Sequence, residues 1–139
     1  MVESNHPAQR AALRSPQLVK EKNKAAWLEL FAEDAVIQDP VGPSPLDPSG
    51  QGHRGKEAIS RFWDMVNGGN FDYTIHRSFA CGDECANWWT GINVLPDGTR
   101  FEVSMVTTYK VNAEGKLVSL KAYWDFAGVA ADLERIAGG

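Results

Sequence analysis

Few side chains in this sequence are equipped for chemistry near neutral pH. They are three His, two Cys and the carboxylates, set among five Trp and three Tyr. Cys81 and Cys85 stand in the stretch Cys-Gly-Asp-Glu-Cys. Two thiols at that spacing make half of a zinc site, yet no second pair follows and His6, His53 and His76 are scattered. The spacing therefore favours two reduced cysteines beside a turn. Asp39 is the stronger candidate. It closes the run Ala35-Val36-Ile37-Gln38 just ahead of Pro40, where an aspartate either ends a strand by bonding a nearby amide or presents its carboxylate to whatever the strand lines. A carboxylate among aromatic rings has its pKa raised, which suits it to general acid or base work. Five indoles are more than so short a chain can easily bury in a core, so some are expected to line a cavity or an interface.

These groups are carried on 139 residues, 43% of them apolar and 23% charged. That composition belongs to an ordinary folded chain rather than a disordered one, and the length predicts a single domain over 1–139. With 14 Lys and Arg against 18 Asp and Glu, the net charge is -4, so no nucleic-acid partner is expected. No apolar run approaches the roughly 20 residues of a membrane span, and the start does not read as a secretion signal. A cytoplasmic protein with no membrane partner is the expectation.

The elements that must position Asp39 follow from periodicity. Apolar residues at spacings of three and four predict helices through the first third, with residues 1–14 frayed, an interruption at Ser15-Pro16 and a second helix over 24–31. A short strand over 35–39 is stopped by Pro40. Residues 40–55 are rich in Pro and Gly and predict a long loop at the rim of a pocket. Helical spacing returns over 56–66. Four strand-like runs, 71–80, 85–95, 99–111 and 116–126, are joined by short turns at Gly82-Asp83, Pro96-Asp97-Gly98 and 112–115, which predicts an antiparallel meander. Helices followed by such a meander make an α+β fold, a curved antiparallel sheet wrapped around N-terminal helices to enclose a cone-shaped pocket, as in a cystatin-like α+β barrel.

The stretch from Leu30 to Gly42, Leu-Phe-Ala-Glu-Asp-Ala-Val-Ile-Gln-Asp-Pro-Val-Gly, resembles the corresponding segment of ketosteroid isomerases. Further matches are Gly55-Lys56-Glu57-Ala58-Ile59 and Gly115-Lys116-Leu117-Val118-Ser119. The resemblance runs from Ser15 to Phe126. It points to the ketosteroid isomerase-like, SnoaL-like family of the nuclear transport factor two superfamily, which also includes polyketide cyclases, scytalone dehydratase and limonene-epoxide hydrolase. In a ketosteroid isomerase the aspartate at the position of Asp39 is the general base, and the reaction needs no cofactor. A tyrosine and a protonated aspartic acid donate to the developing oxyanion. By the same resemblance those two donor positions fall on Ser15 and Thr107. The carboxylate pair and arginine of limonene-epoxide hydrolase would fall on Trp88, Thr90 and Ala122, so epoxide hydrolysis is not implied.

If Thr107 faces the pocket, strand alternation turns Met105 and Val103 inward with it. Carried across the turn at 96–98, the same alternation places Trp88, Thr90, Ile92 and Val94 inside and Trp89 and Asn93 outside, while Trp124, Ala122 and Leu120 line the last strand. Trp63 either reaches the pocket or fills the core. Tyr73 is a candidate replacement phenol, His53 a rim residue, His76 an outer-face residue, and 132–134 a solvated last turn. The site so read has Asp39 as the catalytic base and Trp63, Tyr73, Trp88, Thr90, Met105, Thr107 and Trp124 against substrate, with no metal. It suits a flat apolar ligand with one or two polar handles. The leading expectation is a steroid isomerase-like enzyme with no cofactor. A lyase or dehydratase acting on an aromatic compound, and a non-catalytic carrier of sterols or other apolar ligands, are the competing readings. Trp89 on the outer sheet face suggests a homodimer through that face.

Overall fold

The computed structural model describes residues 4–138. Met1, Val2 and Glu3, expected to belong to the frayed start, lie outside the described residues. Its first helix, α1 (Pro7–Lys20), turns Ala8, Ala11, Ala12, Ser15 and Leu18 inward at helical spacing. It begins well inside the segment expected to be frayed. His6 caps it, and the other ring nitrogen of His6 bonds Gly82 O at 2.7 Å, which ties the helix start to a distant turn.

Nor does Ser15-Pro16 interrupt the helix, because α1 runs straight through it. A proline in a helix interior lacks the N–H that would bond the carbonyl four residues back. Here that carbonyl belongs to Ala12, and the side-chain amide of Asn87 donates to it at 3.4 Å. Asn87 is 1% exposed, so a buried amide on the sheet occupies the acceptor that Pro16 leaves open.

Helix α2 (Lys24–Glu29), capped by Asn23, gives way to strand β1 (Phe31–Gln38). Phe31 was expected to end the helix. It opens the strand instead because Leu30 O and Phe31 are claimed by Leu117 of the last strand. The loop at 40–55 is pinned rather than open: Asp47 accepts from Gly52 N at 2.8 Å, Val41 N reaches Ala122 O at 3.0 Å, and the loop ends in a two-residue strand, β2 (His53–Arg54). Helix α3 (Lys56–Val66) buries Ile59, Phe62 and Trp63.

Four strands follow: β3 (Asn70–Cys81), β4 (Glu84–Val94), β5 (Arg100–Val111) and β6 (Leu117–Tyr123). Gly82, at φ 61°, supplies the left-handed residue that a two-residue hairpin needs. The order across the sheet is β2-β1-β6-β5-β4-β3. β1 runs parallel to β6 and every other pair is antiparallel. The α+β cone is therefore built on a mixed sheet that curves without closing, with β2 and β3 as its edges. Phe31, Ile37, Ile59, Leu117 and Leu120 form the core between the concave face and the helices. The last run does not continue as strand to 126. β6 stops at Tyr123, and a fourth helix, α4 (Phe126–Gly138), follows it and turns Phe126, Val129, Ala130 and Leu133 toward the cavity inside the cone. Among the described residues no helix is long and apolar enough to cross a membrane.

Candidate active site

Side chains directly opposite in a β-ladder share a face, so the register decides what the cone contains. Val94 pairs with Arg100, leaving five residues in the β4–β5 connection. Thr107 then opposes Asn87, Met105 opposes Trp89, and Trp88 opposes Val106. From Asn87 to Asn93 the β4 faces are thus the reverse of those expected from the turn, while Val94 at the strand end lines the cavity as expected. A one-residue difference in connection length transfers every side chain of a strand to the other face, and the sequence signal at Pro96-Asp97-Gly98 does not count the residues in the loop.

Trp88 and Thr90 accordingly lie outside the cavity. Trp88 is 50% exposed and packs on His76, and the Thr90 hydroxyl bonds His76 Nε2 and Ser104 Oγ, each at 2.8 Å. Trp89 and Asn93, expected outside, line the interior. Tyr73 sits on the helix side of the sheet but its phenol donates to Gln17 Oε1 of α1 at 2.8 Å, and the side chain does not line the cavity.

The cavity has a volume of about 520 Å³ and a largely aromatic wall that includes Trp27, Trp63, Phe71, Trp89, Phe101 and Trp124. Asp39, Trp63, Met105, Thr107 and Trp124 of the expected set all line it, as do Ser15 and Ala122. Among the described residues that form the wall, Asp39 is the one that bears a formal charge. It stands two residues beyond Ile37 of β1, and Trp124 Nε1 donates to its Oδ1 at 2.6 Å. Burial raises the Asp39 pKa above the ordinary carboxylate value; the Trp124 hydrogen bond and the nearby His53 oppose that rise without cancelling it. His53 itself packs on Phe62, with ring centres 4.6 Å apart, and its buried Nε2 has no partner.

The two donor positions implied by the family resemblance both face the cavity, yet both hydroxyls already accept an indole N–H. Trp27 Nε1 donates to Ser15 Oγ at 3.1 Å, and Trp89 Nε1 to Thr107 Oγ1 at 2.9 Å. Sequence reasoning put Trp89 on the outer face and passed over Tyr109 and the inner side of α4, where Phe126, Val129, Ala130 and Leu133 line the cavity. Continuing the alternation Val103-Met105-Thr107 by one step would have reached Tyr109. Nothing comparable marked α4. Cys81 is exposed, Cys85 is buried, and both are free thiols. Among the described residues no three His, Cys, Asp or Glu side chains converge to hold a metal.

A carboxylate with a raised pKa, facing an apolar cavity and held by one N–H, is equipped to take and return a proton. Comparison with known proteins places this arrangement in context. The family model described as SnoaL-like domain matches residues 12–120. RV0760c from Mycobacterium tuberculosis is 32% identical, covering 91% of this chain and 96% of that one, with a TM-score of 0.84. A structure of the same protein holds estradiol-17beta-hemisuccinate and matches with a TM-score of 0.83 over 88% of this chain and 97% of that one, at 32% identity. The Delta 5-3-ketosteroid isomerase from Mycobacterium sp. is 30% identical over 88% of this chain and 95% of its own, with a TM-score of 0.82. No curated protein sequence gives a match. With a family model spanning most of its length and near-complete overlap with these structures, the chain belongs to the SnoaL-like, ketosteroid isomerase-like family.

Proposed function

We propose that this protein is a proton-transfer enzyme without a cofactor, acting on a flat apolar cyclic substrate, with a Δ5-3-ketosteroid as the model case. The observation that carries the reading is Asp39, a carboxylate of raised pKa facing an aromatic cavity of about 520 Å³. In the reaction its carboxylate removes a proton from the carbon between the carbonyl and the double bond. The charge moves onto the carbonyl oxygen as a dienolate, and the protonated Asp39 returns the same proton to the far end of the dienolate. Bonds and charges balance, and only the double bond has moved. The relatives support the substrate class: one is a ketosteroid isomerase and another binds an estradiol ester.

A dehydratase or lyase on an aromatic compound would use the same base and would need a hydroxyl to protonate the leaving oxygen. A carrier of apolar ligands is the reading favoured by Ser15 and Thr107, which stand where the resemblance calls for a tyrosine and an aspartic acid. On the convex side Trp88, Val106 and Tyr123 form an exposed apolar row across β4, β5 and β6. That row is the surface through which we propose a second copy packs, with Trp88 in the role first given to Trp89.

The experiment is an ultraviolet assay of conjugation with a Δ5-3-ketosteroid, comparing the parent with Asp39→Asn. Removing a general base slows turnover by about a hundred- to ten-thousand-fold. Equal turnover in the variant would eliminate Asp39 as the base. Absence of turnover in the parent, with the steroid still quenching tryptophan fluorescence, would transfer the pocket to the carrier or lyase reading.

A further inference from the structure

An enolate oxygen in an apolar cavity needs a strong donor, and neither Ser15 nor Thr107 is an obvious one. Phenols are scarce. The chain has three tyrosines: Tyr73 is committed to Gln17, Tyr123 is 48% exposed on the convex face, and Tyr109 is 3% exposed and lines the cavity. Tyr109 stands two residues beyond Thr107 on β5, so both side chains leave the same face of the strand. On the neighbouring strand Thr107 opposes Ala122 and Tyr109 opposes Leu120, and Leu120 in turn pairs with Ile37, just ahead of Asp39. β6 lies between the Asp39 and Tyr109 segments, so their backbones are roughly 10 Å apart, two strand spacings. Between them Ala122 offers the cavity only a methyl group. The cavity wall thus carries a base on one side of Ala122 and hydroxyls on the other.

The indole of Trp89 donates to Thr107 Oγ1 at 2.9 Å. A threonine hydroxyl that has accepted one bond still has its own proton to give, and its neighbour on that face of β5 is the Tyr109 phenol. We infer that Thr107 gives that proton to Tyr109, and that the phenol, its own proton turned into the cavity, is the donor that stabilises the developing oxyanion, polarised and oriented by the chain Trp89, Thr107, Tyr109. Burial and the negative charge of Asp39 hold the phenol well above its ordinary pKa. It therefore remains protonated, as a donor must. Thr107 and Trp89 are positioning residues in this scheme. The inference rests on the proton-transfer reading for its role in turnover, but its binding test does not require turnover.

The test measures affinity for 4-nitrophenolate, an oxyanion with its own absorbance, in the Asp39→Asn background, with naphthalene as a ligand of similar shape and no oxygen. Adding Tyr109→Phe is expected to weaken 4-nitrophenolate by about ten- to a hundred-fold, the range of a hydrogen bond to a charged group, and to change naphthalene by less than about twofold. Thr107→Val is expected to weaken 4-nitrophenolate several-fold with naphthalene again unaffected, an effect that loss of packing alone would not produce. Unchanged 4-nitrophenolate affinity in Tyr109→Phe, or equal losses for both ligands, would overturn the inference. If Tyr109→Phe does not fold, protein carrying 13C at tyrosine Cζ answers the same question. The Tyr109 resonance should move on adding 4-nitrophenolate while those of Tyr73 and Tyr123 stay, and a stationary Tyr109 signal refutes the assignment. Failure of the base reading shows separately, as undiminished ketosteroid turnover in Asp39→Asn.

Discussion

Replacing Trp124 with Phe tests the electrostatics of the site at one hydrogen bond. The indole N–H is 2.6 Å from Asp39 Oδ1, and it favours the ionised carboxylate against the burial that raises its pKa. A hydrogen bond to a charged group contributes about 1.5–3 kcal/mol, and one to the neutral acid about 1. The indole therefore stabilises the anion over the acid by about 0.5–2 kcal/mol. At about 1.4 kcal/mol per pKa unit, Trp124→Phe should raise the Asp39 pKa by roughly one unit. The sign follows from the direction of the bond: the lost interaction favoured the charged form, so the proton is held to higher pH. Since the base must be ionised to act, the acidic limb of the kcat/KM profile should move up by the same amount, with the high-pH plateau retained within a few-fold. The 13C shift of the Asp39 carboxyl followed against pH reads the same quantity without turnover. A titration that stays in place or moves down would refute the reasoning, because it would mean that water entering beside the smaller ring, rather than the indole, stabilises the carboxylate.

Two further outcomes are expected. Asn87→Ala should destabilise the fold by about 1–3 kcal/mol by stripping a buried carbonyl of its donor, and by about 1 kcal/mol less when made in Pro16→Ala, where residue 16 regains an N–H for Ala12 O. Strictly additive losses in urea unfolding would show that Asn87 does not complete the helix. Trp88→Glu places a charge in the exposed row formed with Val106 and Tyr123, and it should convert a dimer to a monomer in sedimentation velocity with ligand binding unchanged. A monomeric parent, or a variant that remains dimeric, would remove this face as the interface.

The sequence by itself determined the helices before the sheet, the meander and its turns, and the placement of Asp39 at the end of a buried strand. These are local properties. Apolar spacing, the halt at Pro40 and the glycines in the tight turns act over a few residues, and each is visible without knowing what lies opposite. The resemblance around Leu30 to Gly42 extended that reading to the fold and to the candidate base. What the tertiary structure decided is everything that depends on a partner distant in the chain. Phe31 is strand because Leu117 pairs with it. Pro16 sits inside a helix because Asn87 reaches Ala12 O. Trp89 rather than Trp88 faces the cavity because five residues, not four or six, separate the paired ends of β4 and β5. Alternation along a strand has a period of two but no absolute phase. Only the ladder supplies that phase, and with it the difference between an indole that holds Thr107 in place and one exposed on the outer face.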